Sequence, residues 1–213
     1  IRNLKDTDVA GELIAIPSIS YPASYASTRL WPDGSNFNRI FPGNENGLIP
    51  EKIAHYVATE LIPRVDVVMD IHSGGRGFQW LEGATMTWSD DKKYRSDLMK
   101  NLNAWNTRYS MIFPPQPGTN EISLLPGYVA SLGKPLFTGE FGGSGVTTAT
   151  SNRITRAALI SALKSVSLLK PDWQSDSYDH KIQVVNREFI DMRGSDSYHW
   201  AEEEGLYQNK KRL

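Results

Sequence analysis

Val65-Asp66-Val67-Val68-Met69-Asp70-Ile71-His72-Ser73-Gly74-Gly75 is an apolar run that ends on a carboxylate, an imidazole and a pair of glycines. Val65 to Ile71 reads as a strand with both faces apolar, the pattern of an interior strand in a parallel sheet. Asp70 and His72 are two residues apart, so their side chains share one face. They stand where the strand runs out into Ser-Gly-Gly, and the carboxyl ends of strands are where open α/β sheets bind ligands. A neutral imidazole at such a place is a good metal ligand. A hydrogen-bonded histidine at a strand end is the plain structural alternative, and position alone does not separate the two.

Upstream of this strand, Pro50 opens a helix at a first-turn position where its missing N–H costs nothing. Ile53, Val57 and Leu61 give that helix a buried face, and Pro63 stops it. Residues 17 to 50 form a long loop rich in Ser, Pro, Gly and Asn, and a loop of that length inside a domain is usually functional. Before it, Glu12-Leu13-Ile14-Ala15-Ile16 reads as a short buried strand ended by Pro17. Downstream, Ser89-Asp90-Asp91 caps a helix with the stripe Tyr94, Leu98, Leu102 and Trp105. Residues 113 to 127 hold four prolines and read as a loop. Pro135-Leu136-Phe137-Thr138 leads a second strand into Glu140 and Gly142-Gly143-Ser144-Gly145. A long helix with the stripe Leu159, Leu163 and Val166 follows, from about Ser151 to Leu169, and Lys170-Pro171 ends it.

Alternating strands and helices predict an α/β domain with a mainly parallel, mixed sheet covered by helices on both faces. After Pro171 the texture changes. Lys181-Ile182-Gln183-Val184-Val185 and Glu188-Phe189-Ile190 look like strands with polar intervals. The expected division is therefore a domain over 1–171 and the start of a small β-rich domain over 172–213. Ile1 reads as the tail of an element already under way, so chain is expected to be missing ahead of it.

The chain has 213 residues, enough for one substantial core. A net charge of -1 argues against a nucleic-acid or anionic-membrane partner, which calls for a basic surplus. No apolar run approaches the length of a membrane span. With no cysteine, disulfides and thiolate metal sites are excluded, and any metal must use His, Asp or Glu. A cytoplasmic location fits that composition and is the expectation, with homo-oligomer formation left open.

Glu140 ends its strand beside glycines that leave room for a substrate. A carboxylate so placed can take a proton from an attacking water and pass it to a leaving amine; a core-edge Glu paired with an Arg is the bland alternative. Arg29, Asn38 and Arg39 lie in the long loop. An Arg fork grips a carboxylate in two places, and Asn adds a neutral donor. Turn geometry for Asn36 and Asn38, with a solvated Arg39, is the simpler reading. Trp80, Trp88 and Trp105 read as packing residues, and Tyr128, on a Pro-Gly-Tyr turn, is a candidate pocket residue.

The string Asp33-Gly34-Ser35-Asn36-Phe37-Asn38-Arg39-Ile40-Phe41-Pro42-Gly43, then Asp70-Ile71-His72-Ser73-Gly74-Gly75, then Thr138-Gly139-Glu140-Phe141-Gly142-Gly143, resembles the succinylglutamate desuccinylase/aspartoacylase family. These are zinc hydrolases with a zinc carboxypeptidase-like fold. The similarity runs from about Gly11 to Lys170, and within the family the pattern looks most like bacterial N-acetyl-diaminobutyrate deacetylases. The resemblance implies zinc as cofactor and a small N-acyl amino acid as substrate. It implies that His72 is a zinc ligand, Glu140 the catalytic carboxylate, and Arg29 the group beside the scissile carbonyl. It implies that Asn38 and Arg39 hold a substrate carboxylate, with Asp70 orienting groups at the strand end.

Two departures matter. Where many relatives read Asp-Leu-Asn-Arg, this chain reads Asn36-Phe37-Asn38-Arg39, which touches the anchoring of the loop. The family's first two zinc ligands come from a His-x-x-Glu motif that would precede Ile1. His199-Trp200-Ala201-Glu202 has that spacing, which a helix would place on one face, but such short spacings are common by chance. His55 and His180 have no acidic partner at ligand spacing, and His55 reads as a surface residue. The favoured expectation is a zinc-dependent deacylase of an N-acylated amino acid or related small amide. The alternative from another class is a non-catalytic binder of a small carboxylate that lacks a complete zinc site. Carboxypeptidase activity shares the chemistry but needs a longer cleft.

Overall fold

Within the apolar run that starts at Val65, Val68–His72 forms β1. Its apolar side chains are split between two layers. Val68 packs against one cluster, and Val67 and Met69 against the other. The computed structural model describes residues 4–115, 121–173 and 186–198. Four further strands complete the sheet: β2 (Gly83–Thr87), β3 (Tyr109–Phe113), β4 (Leu136–Glu140) and β5 (Glu188–Asp191). Their spatial order is β1-β4-β2-β3-β5. β1 pairs parallel with β4, and β2, β3 and β5 pair parallel with one another. The two parallel groups meet at an antiparallel junction of β4 with β2, where Glu140 lies opposite Gly83 and Thr138 opposite Thr85. The sheet is thus mixed and mainly parallel.

Helices cover both faces. On one, α2 (Ile49–Tyr56) and α4 (Leu125–Ser131) pack through Ala54 and Val129 onto Val68 and Leu136. The long loop joins this layer through Trp31, Phe37 and Phe41, and it also carries a short helix, α1 (Tyr21–Tyr25). On the other face, α3 (Lys92–Ala104) and α5 (Ala149–Ser165) pack Leu98, Leu102, Ala158 and Ala162 against Ala84, Met86 and Phe137. The caps follow the sequence. Asp91 Oδ1 accepts from the Tyr94 amide at 2.9 Å, and Thr148 Oγ1 accepts from the Ser151 amide at 3.0 Å.

Several expectations need correction. Glu12 to Ile16 is not a buried strand: the segment is irregular and exposed, with Ile16 47% exposed. It is an apolar run too short to bury itself without a pairing partner. β1 is not interior: among the described residues it lies at the sheet edge and pairs with β4 alone. Its two apolar faces report two helical layers, not two hydrogen-bonded neighbours. The helix from Pro50 gives way at Val57–Leu61 to a wider π turn, and Ile62–Arg64, which contains Pro63, closes it as a 3-10 turn. The proline-rich stretch ends in α4, with Pro126 in its first turn. β5 lies beyond the boundary read near residue 171, yet it extends the same sheet beside β3. The strand expected over Lys181 to Val185 lies outside the described residues.

Candidate active site

β1 and β4 run in register, with Asp70 opposite Thr138 and His72 opposite Glu140. Alternation along each strand then puts Asp70, His72, Thr138 and Glu140 on one face. That face is the one carrying Val68 and Leu136, under α2, α4 and the long loop. His72 Nε2 lies 2.9 Å from Asp70 Oδ2, a charge-assisted hydrogen bond in which the ring nitrogen donates. The pairing fixes the tautomer and leaves the Nδ1 lone pair facing away from Asp70.

Glu140 is the most perturbed group of the site. Burial pushes its carboxyl up to about 7, the Asp70 charge adds to the rise, and His72 and Arg29 pull against it. Its Oε2 atom is buried and has no hydrogen-bond partner among the described residues. A half-buried carboxyl with an unmet oxygen is suited to hold a proton for a reacting group. Burial alone would lower the His72 pKa. The hydrogen bond to Asp70 and the charges of Asp70 and Glu140 outweigh it and raise the value.

The long loop brings Arg29 into electrostatic range of this face, and Arg39 into range of Arg29. The Arg29 charge acts on both His72 and Glu140, and it also lowers the pKa of Arg39, which burial depresses first. Two guanidinium groups in mutual range make a site for an anion. The local fold explains the delivery. Phe37 and Phe41 are buried four residues apart with ring centroids 5.5 Å apart, and Phe37 stacks on Trp31 at 6.3 Å. Phe37–Arg39 is a 3-10 turn held between those anchors. Phe37 therefore supplies the anchoring that the departure at Asn36 had put in question.

Asn38 does more than the sequence suggested. Its Oδ1 accepts from the Leu125 amide at 2.8 Å, tying the loop to the start of α4. Its backbone oxygen accepts from Arg39 Nη1 at 2.6 Å. The Asn38 acceptor is thus committed to structure, and its amide donors are the part suited to a carboxylate. Tyr128 is not a pocket residue: its ring packs on Phe41 at 6.1 Å, and its hydroxyl donates to the Ala58 carbonyl at 3.5 Å. A cavity of about 390 Å³ opens beside His72 toward α5, lined by Ile71, Ser73, Phe141, Gly143 and Ser151 among others. His72 is among its lining residues and Glu140 and the two arginines are not, so it meets the charged cluster at His72 alone.

Zinc calls for several His, Asp or Glu ligands in this cysteine-free chain. The His72 ring, with Nε2–H given to Asp70, has the form of a metal-ligating imidazole held by a carboxylate. Among the described residues, however, no group of three or more such side chains converges. His72 fits as one ligand, and the described residues do not complete a site. His180, His199 and Glu202 lie outside them, while His55 is half-buried on α2. The sequence reading missed Gly83 and the Thr85–Thr138 pair, whose hydroxyls meet at 2.8 Å below Glu140. The only signal for them was the strand β2 itself, which its Gly-Ala-Thr content hid.

A mixed, mainly parallel sheet between helices, with Asp70, His72 and Glu140 on one face, is the architecture of the desuccinylase/aspartoacylase class, whose fold is zinc carboxypeptidase-like. The model of the succinylglutamate desuccinylase/aspartoacylase catalytic domain matches residues 1–166. The chain belongs to that family. It is 31% identical over 207 residues to the N-alpha-acetyl-L-2,4-diaminobutyric acid deacetylase of Halomonas elongata, covering 96% of this chain and 57% of the relative. The product-bound ectoine utilization protein EutE (DoeB) of Ruegeria pomeroyi superposes with a TM-score of 0.76 at 31% identity, over 89% of this chain and 54% of that one. A succinylglutamate desuccinylase from a Silicibacter species gives 0.79 at 33%, over 97% and 60%. The chain thus spans less than two thirds of the length of these relatives. Among the described residues no helix is long and apolar enough to cross a membrane.

Proposed function

We propose that this chain carries the proton-transfer and substrate-holding groups of a zinc-dependent deacylase that cleaves an acyl group from an N-acylated amino acid. The observation that carries the reading is Glu140, a buried carboxyl raised to about 7 with one oxygen unpartnered, set opposite His72 and within reach of the Arg29 charge. Relatives whose names specify a diaminobutyric acid deacetylase and a succinylglutamate desuccinylase support the same bond type, an amide joining an acyl group to an amino acid.

In this reading His72 would hold the metal through the Nδ1 that its bond to Asp70 leaves available, and the other ligands would come from outside the described residues. Zinc, when bound, supplies Lewis-acid polarisation of a carbonyl and acidifies a water. Glu140, ionised at its Oε2, takes the proton of the attacking water and returns it to the departing amine. Arg29 offers fixed positive charge to the oxygen that becomes anionic at the tetrahedral stage. Arg39 and the Asn38 amide donors hold the substrate carboxylate and so set the distance of the amide from Glu140.

Amine release from N-acetyl and N-succinyl amino acids, run beside short unblocked peptides, tests this directly on the zinc-loaded chain. Turnover of the acylated amino acids with little peptide cleavage is the expected result. Preferential peptide cleavage would move the assignment to a carboxypeptidase. Binding of the acylated amino acids without turnover would favour the non-catalytic binder.

A further inference from the structure

Among the described residues β1 is hydrogen-bonded on one side only, so its last pair, His72 with Glu140, stands at a strand end prone to fraying. What lies just beyond that pair resists fraying. The Phe141 amide donates to the His72 carbonyl at 3.0 Å. The Gly142 carbonyl then accepts from both Gly74, at 3.0 Å, and Trp80, at 3.3 Å. The Ser144 amide donates to the Phe78 carbonyl at 2.9 Å, and Gly145 to Gly75 at 2.7 Å. The loop after His72 and the loop after Glu140 are therefore interlocked by five backbone hydrogen bonds.

Two glycines make this closeness possible. Gly143, at φ 154°, passes directly over the Phe78 carbonyl, and a Cβ there would be built into that oxygen and crowd the Gly74 Cα at 3.1 Å. A Cβ on Gly74 would meet the same carbonyl from the other side. Gly77, in the same loop, faces open space. The need for a bare Cα against the Phe78 carbonyl is thus specific to these two positions.

We propose that Gly143 and Gly74 are positioning residues: their bare Cα atoms let the two loops interlock, and the interlock holds His72 opposite Glu140. The catalytic consequence rests on the deacylase reading above, while the structural part stands independently of it. The clamp residues Asn38 and Arg39 lie on a different loop, so disturbing the interlock should misplace the reacting groups and spare substrate capture.

The test compares Gly143→Ala and the milder Gly145→Ala with Gly77→Ala in the full chain. Amide hydrogen exchange is followed at Phe141, Gly74 and Ser144, with Met111 in β3 as internal reference. In Gly143→Ala these three amides should exchange about tenfold faster or more while Met111 is unchanged. The kcat for an N-acetylated amino acid should fall about 10- to 100-fold with KM within about twofold. Gly77→Ala should match the wild type in both. Should Gly143→Ala fail to fold, Gly145→Ala should show a smaller change at the same amides, because its Cβ meets only Arg76 at 3.5 Å but its φ is 67°. Unchanged exchange at these amides, an even rise across the sheet, or a KM effect with kcat intact would overturn the proposal. A wild type inactive on every acylated amino acid would refute the reaction, and the exchange comparison would still decide the interlock.

Discussion

Glu140 sets the pH behaviour of the site. Its carboxyl moves from an ordinary 4.5 to about 7 on burial, so the folded chain binds its proton more tightly than the unfolded chain does. The stability this brings is fully present below about pH 4.5 and is lost as pH rises through about 7. His72 is also raised, so its contribution has the same sign: present below its ordinary 6.5 and lost as pH rises through its folded value. Metal-free chain should therefore be less stable at about pH 8 than at about pH 5, by on the order of 1–3 kcal/mol in denaturant titrations. Glu140→Gln should flatten that dependence. Arg39→Ala should raise KM with kcat little changed, because uniform binding is what it removes. Asn38 separates into two roles. Asn38→Ala should lower stability by about 1 kcal/mol through loss of the Leu125 hydrogen bond. Asn38→Asp should keep that bond yet raise KM, since it places a carboxylate where a substrate carboxylate is to bind.

The turn Phe37–Arg39 shows how an element serves the site. Phe37 within the turn and Phe41 just after it bury into the layer under α2 and α4, and Asn38 between them ties the turn to the start of α4. Phe37→Ala should cost about 3 kcal/mol in thermal or chemical unfolding and also raise KM, whereas Phe37→Leu should preserve much of both. Elements with a strong local signature were legible in the sequence. β1 and β4 announced themselves by apolar runs ending in candidate site residues, and α3 and α5 by caps and stripes. β2 was not legible, because Gly83-Ala84-Thr85-Met86-Thr87 lacks the bulky branched residues of a strand and gains its place from neighbours on both sides. Glu12 to Ile16 misled for the opposite reason: local apolarity had no partner to act on. For the site, the residue types at 29, 38, 39, 70, 72 and 140 were readable from motif and strand ends. The Asn38 tether to α4 was not, because it joins residues 87 apart.

At the scale of the molecule, the sheet consists of two parallel groups joined back to back, and the charged cluster stands at the junction. Glu140 is the last residue of β4 and lies opposite Gly83, the first of β2, where a Cβ would run into the Tyr109 carbonyl, so a glycine is required beside the carboxylate's strand. No local pattern encodes that arrangement, since parallel and antiparallel neighbours demand the same residue types. β4 lies between β1 and β2, whereas β1 has a single neighbour among the described residues. Amides of Phe137 and Gly139 should accordingly exchange more slowly than those of Met69 and Ile71. The account as a whole turns on Glu140 as the group that carries the proton between water and leaving amine. Its most direct test is amine release from an N-acetylated amino acid by the wild type and by Glu140→Gln, with substrate binding measured in parallel. The account predicts a fall in kcat of about 100-fold or more with binding retained. Equal turnover by the two proteins would contradict it.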